Sequence, residues 1–305
     1  MTVPILSGLI ERRLEMLVRS LATGDPLIDF STPPGESAVV APESVSWQVF
    51  RNPLTVVIGG IAAVLLELGE PRVRSGVWSH STFRADPARR LRRTGLAAMV
   101  TVYGAHSRFE ALATRVRGIH ARVAGTTRGG EGYRADDPDL LRWVHGTAAF
   151  AFLDAYRTYV RPVGAPDRDR YYAEGGAASR LYGVVDAPAS ERATAALFDA
   201  MRPRLEPSPE LDELVAILRA APILPPLLRP LQHSLIRAAV DLLPAPERER
   251  LRLGRHGGLR FGEAALLRSA ARMLDRVAVP SSPSAQACVR VGLPHDWLVR
   301  HPLPG

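Results

Sequence analysis

The residues of this sequence best suited to chemistry are two histidines that fall on apolar faces of predicted helices. His120 flanks a helical stripe whose members recur every three or four residues, namely Phe109, Leu112, Val116, Ile119 and Val123. A neutral imidazole has one donor and one acceptor nitrogen, and a metal ion can bind to the acceptor. His145 shares a face with Leu141, Phe152 and Tyr156 on the next predicted helix. Each histidine is a candidate ligand, or a support for one, and a core histidine bonded to protein is the alternative.

An arginine–threonine pair is the second candidate. Arg90 and Thr94 lie four residues apart, so their side chains are neighbours on one face of a predicted helix. Gly95, Ala97 and Ala98 follow, and such small residues leave room for a flat ligand against the helix. A solvated arginine face is the competing interpretation, because the same segment holds several other arginines.

The familiar motifs of other enzyme classes do not occur around these residues. The sequence contains no HExxH zinc motif, no cysteine cluster and no GxSxG nucleophile elbow. Cys288 is the only cysteine, which excludes an intrachain disulfide and favours a role as a small hydrophobic residue. A helical histidine with scattered arginines suits haem, because histidine binds the iron axially and arginine pairs with propionates. The spacing permits haem without requiring it.

Helical signals dominate the elements that must position these residues. Apolar residues recur at helical intervals, and Asp86 and Asp137 each precede a proline in the manner of helix N-caps. The predicted helices cover residues 5–22, 53–68, 86–104, 106–124, 137–160, 166–183, 189–201, 208–220, 227–243 and 261–277. The glycine-rich stretch at 126–136 is predicted to be a plain turn, and 70–83 a short connecting segment. The fold class predicted is therefore all-α.

The chain is long enough to form one large domain with a sizeable core. Residues 1–45 are predicted to form an N-terminal helix and a proline-rich lead-in. Residues 46–280 are predicted to form a single compact helical domain that encloses a haem pocket. An adaptable tail is predicted for residues 281–305.

Composition narrows the classes of partner. The formal net charge is +8, and all 39 basic residues are arginine, but acidic residues are interspersed with them, which argues against a nucleic-acid partner. The longest uncharged apolar run, Pro53 to Leu66, is shorter than the roughly 20 residues that span a bilayer, which favours a buried core helix over an integral membrane span. The N-terminus lacks the pattern of a signal peptide, so a cytoplasmic location is expected. A homo-oligomer is possible.

Four segments, taken in order, resemble a known family. They are "PRVRSGVWSHSTFRADPARRLRRT", "VRGIHARVAGT", "YRADDPDLLRWVHGTAAFAFLDAY" and "DRYYAEGGAASRLYGV". Their order and spacing over residues 45–205 are similar to those of the MpaB and latex-clearing-protein (rubber) oxygenases. The resemblance implies an all-α fold holding haem b, and dioxygen-dependent cleavage of an isoprenoid carbon–carbon double bond.

The resemblance also implies roles for single residues. His120 would be the axial iron ligand, and Arg90 and Thr94 would line the haem pocket. Arg117 would pair with a propionate or orient the ligand. Arg93 stands where latex-clearing proteins carry a lysine that can ligate the iron, and a guanidinium is a poor ligand because it stays protonated. Arg90 or Arg93 would stabilise negative charge developing on dioxygen.

Two acidic residues bear on the mechanism that the resemblance implies. The catalytic glutamate proposed for latex-clearing proteins has two candidate counterparts here, Glu67 and Glu70, and the sequence aligns neither of them securely. Either glutamate can instead simply end a helix.

The function expected from the sequence is a haem-dependent oxygenase, an oxidoreductase acting on a small apolar substrate with dioxygen. His145 is expected to support the cofactor or to lie in the core. Two alternatives stay open: a non-catalytic haem protein for sensing or carriage, and an arginine-rich helical binding module. The first keeps His120 as the ligand, whereas the second predicts a clustered basic face and binding that weakens steeply with salt.

Overall fold

The computed structural model describes residues 28–222 and 229–303, and within them the protein is all-α apart from one small hairpin. The helices are Val45–Phe50 (α1), Pro53–Glu67 (α2), Pro71–His80 (α3), Pro87–Tyr103 (α4), His106–His120 (α5), Pro138–Tyr159 (α6), Ala165–Leu181 (α7), Glu191–Met201 (α8), Pro209–Ala220 (α9), Arg229–Leu242 (α10), Ala245–Arg250 (α11), Glu263–Leu274 (α12), Pro283–Arg290 (α13) and Trp297–Arg300 (α14). Short 3₁₀ segments occur at Arg202–Arg204 and Leu253–His256. The helix predicted at 5–22 lies outside the described residues.

The centre of the fold is the α2–α6 pair, which makes the most extensive helix–helix contact. Asn52 caps α2 by accepting a hydrogen bond from the Thr55 amide, and Pro53 occupies the first turn, where no amide partner is needed. Gly59 permits the close approach, because a β-carbon there would lie 2.9 Å from the Cα of Phe152 on α6. Leucine, isoleucine and aromatic side chains from both helices are buried around this crossing, which makes it the core of the domain.

The predicted starts of α4 and α6 are confirmed by their caps. Asp86 accepts a hydrogen bond from the Arg89 amide, and Asp137 accepts from the amides of Asp139 and Leu140. Both helices begin at the proline that follows the cap. Capping chemistry is local, so the sequence alone was sufficient to locate these two starts.

The end of α5 and the turn after it differ from the prediction. The helix ends at His120 rather than near residue 124, and Ala124–Thr126 (β1) pairs with Gly132–Arg134 (β2) in an antiparallel hairpin. Gly130, in the connecting turn, has a φ of +85°, which a residue with a side chain rarely adopts. The interpretation of 126–136 as a plain turn was therefore wrong, because backbone pairing between the two arms gives it sheet structure.

The segment predicted as a connection before α4 contains a further helix, α3. Glu70 caps this helix, accepting from the amides of Arg72 and Val73 at 2.7 and 2.9 Å. The same carboxylate accepts from the Arg72 guanidinium at 2.7 Å, and both side chains are buried. Glu131 on the hairpin is half-exposed and lies 3.6 Å from Arg72, so an ion pair at the edge of the buried Glu70–Arg72 pair links α3 to the hairpin.

The C-terminal segment is packed against the core and is not a loose tail. It forms α13 and α14, and the Gln48 amide donates to the backbone carbonyls of Leu298 and His301 at 3.1 and 2.7 Å. Arg290 donates to the carbonyl of Phe30 at 2.7 Å, which links the segment to the start of the described chain. Cys288 is fully buried on α13, as a small hydrophobic residue would be.

No single helix within the described ranges is both long enough and apolar enough to cross a membrane. The bent pair of α2 and α3, with 109° between the two helices, meets the length and composition test only when the two are taken together.

Candidate active site

The candidate site is a cavity of about 530 Å³ enclosed by α2, α4, α5, α6 and α7. This volume lies within the roughly 300–1,000 Å³ typical of ligand and cofactor sites. Most of the lining is aliphatic or aromatic, and the polar side chains facing the cavity are few. The ionisable residues of the lining are Glu67, Arg90, Arg92, His120, His145, Tyr171, Tyr172 and Tyr182.

His120 is positioned at this cavity because it is the last residue of α5. Its Nδ1 atom is buried and has no hydrogen-bond partner among the residues that the structure describes. Burial lowers the pKa of the imidazole, the nearby Asp136 carboxylate opposes that effect, and the positive charge of Arg90 adds to it. A neutral imidazole with a free nitrogen is the form that binds a transition metal.

Arg90 and Thr94 lie on the first half of α4 and both line the cavity. The Arg90 guanidinium donates to the Thr94 hydroxyl, and that hydroxyl donates to the Arg90 carbonyl at 2.9 Å. The two bonds hold the guanidinium over the helix. Burial lowers the pKa of Arg90, while the Glu67 carboxylate opposes this effect. Arginine keeps its charge in proteins, so the site holds a fixed cation.

Glu67 is the functional candidate that the sequence could not separate from Glu70. It ends α2 and its side chain faces the cavity, whereas Glu70 turns to the cap of α3. Burial raises the pKa of Glu67 to about 7, and Arg90 works against the rise. A carboxyl group that titrates near neutral pH can hold or release a proton there. Perturbed carboxyl groups of this kind cluster at functional sites, although structural carboxyls are also perturbed.

His145 lies on α6 and lines the same cavity. Burial lowers its pKa to about 4, so the imidazole is neutral. It packs against Gly175 of α7, where a β-carbon would lie 3.4 Å from the imidazole Cε1. Across residues 28–222 and 229–303, the ring makes no hydrogen bond to protein.

Arg93 and Arg117, the two residues suggested by motif position alone, do not line the cavity. Both side chains are exposed. Arg93 is still close enough for its charge to lower the pKa of Arg90. Arg117 lies against Gly183, where a β-carbon added to the glycine would lie 3.6 Å from the Arg117 Cδ atom. Arg92 lines the cavity instead, and its buried Nε has no partner.

Protein side chains alone do not make a metal centre at this cavity. In the described part of the chain, no group of three or more histidine, cysteine, aspartate or glutamate residues could hold an ion.

Comparison with known proteins gives a family match for most of this domain. A sequence model for "ER-bound oxygenase mpaB/B'/Rubber oxygenase, catalytic domain" matches residues 47–276. No curated protein and no solved structure is significantly similar to the chain. The matched span contains Glu67, Arg90, Thr94, His120 and His145, and it covers most of the 305 residues. The resemblance stated from the sequence is thereby confirmed, and the protein belongs to the mpaB/rubber oxygenase catalytic-domain family.

Proposed function

We propose that the protein is a haem b-dependent oxygenase that uses dioxygen to oxidise or cleave an apolar substrate of isoprenoid type. The observation that carries the proposal is the unpartnered Nδ1 of His120, buried at a large apolar cavity beside a fixed cation. Family membership supports oxygenase activity. Haem dependence and the substrate class are the steps that the proposal adds.

The residues present fit a haem group. Neither ring nitrogen of His120 is hydrogen-bonded within the described ranges, so the imidazole would be free to hold the iron of such a group. The cavity has the volume of a cofactor site, and small residues of α4, Gly95, Ala97 and Ala98, line one wall as a flat ligand needs. His120 would hold the iron, and Arg92, with its buried unpartnered Nε, is placed to pair with an anionic group of the ligand. When bound, the haem supplies the iron that activates dioxygen.

The side chains around His120 provide charge and proton control. Arg90, held by Thr94, places a positive charge in a region of low dielectric, where it stabilises negative charge more strongly than it would in water. Glu67 holds a proton below about pH 7 and releases it above. It is therefore the group at the cavity suited to proton transfer to or from the substrate.

The apolar lining explains the substrate class. Val57 and Val64 of α2 and Phe152 of α6 face the cavity, and they favour a hydrocarbon chain over a hydrated ligand. These side chains also exclude water from the reacting region. Arg93 and Arg117 are left out of the proposed site because their side chains are exposed and do not line the cavity.

An absorption spectrum of the protein supplied with haem tests the proposal. We expect a Soret band in the wild type, and a shifted band or loss of haem in His120→Ala. His106→Ala is the matched control, because His106 is exposed at the other end of the same helix and should leave the spectrum unchanged. A wild type without a Soret band, or a His120→Ala variant identical to it, would contradict the proposal.

Oxygen consumption with isoprenoid alkenes tests the catalytic half of the proposal. The haem-loaded wild type should consume dioxygen and form carbonyl products, whereas Arg90→Met should bind haem and react more slowly by roughly a hundredfold, as when one charge-stabilising group is removed. Haem binding without any oxygen consumption would instead favour a non-catalytic haem protein.

A further inference from the structure

One polar side chain of the cavity, the half-buried His145, has no task in the proposed chemistry. It faces the cavity from the middle of α6, and within the two described ranges its ring has no hydrogen-bond partner. Most buried polar groups in proteins are hydrogen-bonded, because an unpaired group loses its bonds to water without replacement. A ligand that fills the cavity must either pair with this ring or leave it unpaired.

Two of the neighbouring hydroxyls on α7 are already bonded within the protein. The Ser179 hydroxyl donates to the Gly176 carbonyl at 3.0 Å. The Tyr182 hydroxyl lies 2.9 Å from the Thr101 hydroxyl of α4, and the two share a hydrogen bond. Within the described ranges, the Tyr171 hydroxyl and the His145 ring are the groups on this wall without such a bond, and His145 is the one that offers both a donor and an acceptor nitrogen. Gly175 keeps the space beside its ring open, since a β-carbon there would contact the imidazole.

The electrostatic surroundings of His145 distinguish it from His120. Burial alone accounts for the lowered pKa of His145, and no charged side chain contributes to it. The pKa of His120, in contrast, responds to Asp136 and to Arg90. The charges of Asp136 and Arg90 thus act on His120, whereas no charged side chain shifts the pKa of His145.

This environment selects the chemistry of the group that His145 can bind. A neutral imidazole offers one N–H and one lone pair, which a hydroxyl group can match in either direction. A carboxylate or a phosphate would be buried beside it without a neighbouring cation, at a large desolvation cost. The same argument disfavours a haem propionate at this position.

We propose that His145 binds a hydroxyl group of the substrate, so that the cavity accepts an apolar chain bearing an alcohol rather than a pure hydrocarbon or an acid. The proposal rests on the proposed function in that the cavity is taken as the substrate site. It adds a specificity-determining residue and the class of the polar group.

Calorimetric titration of the haem-supplied protein tests the assignment. The probes are geraniol, the hydrocarbon that lacks only its hydroxyl, and geranate. His145→Leu should weaken geraniol binding roughly 2- to 10-fold, the range expected for one net hydrogen bond, and leave hydrocarbon binding unchanged. His145→Gln keeps a donor and an acceptor and should restore part of the loss. His233→Leu is the matched control, because His233 is exposed on α10 and should alter no affinity.

Several results would overturn the assignment. They are an absence of geraniol binding to the wild type, equal geraniol affinity in wild type and His145→Leu, equal losses for geraniol and the hydrocarbon, and tighter binding of geranate than of geraniol. Equal losses would indicate a packing role alone, and preference for geranate would place an acid at the ring.

The outcome is separable from that of the proposed function. A Soret band without a His145 effect would refute only the hydroxyl assignment. A His145-dependent preference for geraniol without a Soret band would refute only the haem.

Discussion

Replacing Glu67 with glutamine should stabilise the protein at pH 8 and change its stability little at pH 5. Burial raises the pKa of the Glu67 carboxyl from 4.5 to about 7, so the folded protein binds this proton more tightly than the unfolded chain does. Between those two values the folded state carries the proton and the unfolded state does not. The contribution of Glu67 to the free energy of unfolding is therefore fully present below pH 4.5 and is lost as the pH rises through 7.

The size of the effect follows from the shift. Each pKa unit corresponds to about 1.4 kcal/mol, so the shift amounts to about 3 kcal/mol of free energy of unfolding lost between pH 4.5 and 7. Water entering the cavity would solvate the carboxylate, which makes this value an upper bound. Glutamine has nearly the same shape and no charge, so Glu67→Gln should remove the loss.

Urea unfolding at pH 5 and pH 8, with the same cofactor content in every sample, measures the effect. The difference in unfolding free energy between Glu67→Gln and wild type should grow by up to about 3 kcal/mol from pH 5 to pH 8. Glu110→Gln is the control, because Glu110 is exposed on α5 and has no ion pair in the described part of the chain. If the wild type and Glu67→Gln lose stability in parallel over this range, the carboxyl is not held protonated by burial and the reasoning fails.

Three further substitutions test the histidine at the cavity, the central helix crossing and the buried ion pair. Burial lowers the pKa of His145 from 6.5 to about 4. The contribution of this histidine to the free energy of unfolding is therefore complete above pH 6.5 and is lost as the pH falls towards 4. In urea unfolding at pH 7 and pH 4.5, His145→Leu should lose less stability with acid than the wild type, by up to about 3 kcal/mol. In thermal unfolding, Gly59→Ala should destabilise the protein by about 1–3 kcal/mol, because the added methyl group meets Phe152 at the α2–α6 crossing. Gly118→Ala is the control: its site on α5 is open, and the change should stabilise the protein by roughly 0.5–1 kcal/mol. Glu70→Ala should lower the free energy of unfolding in urea by about 3–5 kcal/mol, because it removes a helix cap and leaves the buried Arg72 without its closest carboxylate. A decrease below about 1 kcal/mol would mean that Glu131 and Asp137 replace Glu70 as partners of Arg72.

Local signals in the sequence located much of the fold. The aspartate–proline pairs that begin α4 and α6 act within one turn, so tertiary contacts were not needed to recognise them. Helical periodicity likewise identified the apolar faces that meet at the cavity. The family resemblance added the order of these helices and the class of activity, which no single helix carries.

Elements that depend on distant partners were missed. The strands β1 and β2 have three residues each, too short for an alternating pattern, and they exist because one pairs with the other. α13 and α14 are also short, and they are held by contacts with Gln48 and Phe30, about 250 residues earlier in the chain. No local pattern could predict contacts of that range.

The choice between Glu67 and Glu70 shows where sequence reasoning about the site reaches its limit. The two residues are three apart, which on a continuous helix would make them neighbours on one face. The chain instead bends by 109° between α2 and α3, so Glu67 ends one helix at the cavity while Glu70 caps the next helix away from it. α3 packs against the hairpin beyond this bend, and a periodic pattern contains no information about either the bend or that contact.

The arginines show the same limit of sequence reasoning within a single helix, because neighbouring arginines differ in whether they face the cavity. Arg90 and Thr94 were chosen because they share a helical face, and both line the cavity, whereas Arg93 was chosen by motif position and is exposed. Adjacent residues on a helix point about 100° apart, so a residue chosen by motif can lie on a different face from the one that lines the site. Arg117 lies off the cavity face in the same way: Val116, four residues before His120, lines the cavity, and Arg117, three before it, is exposed. The residues to carry over from a family are therefore those that also fall on the cavity face of their own helix.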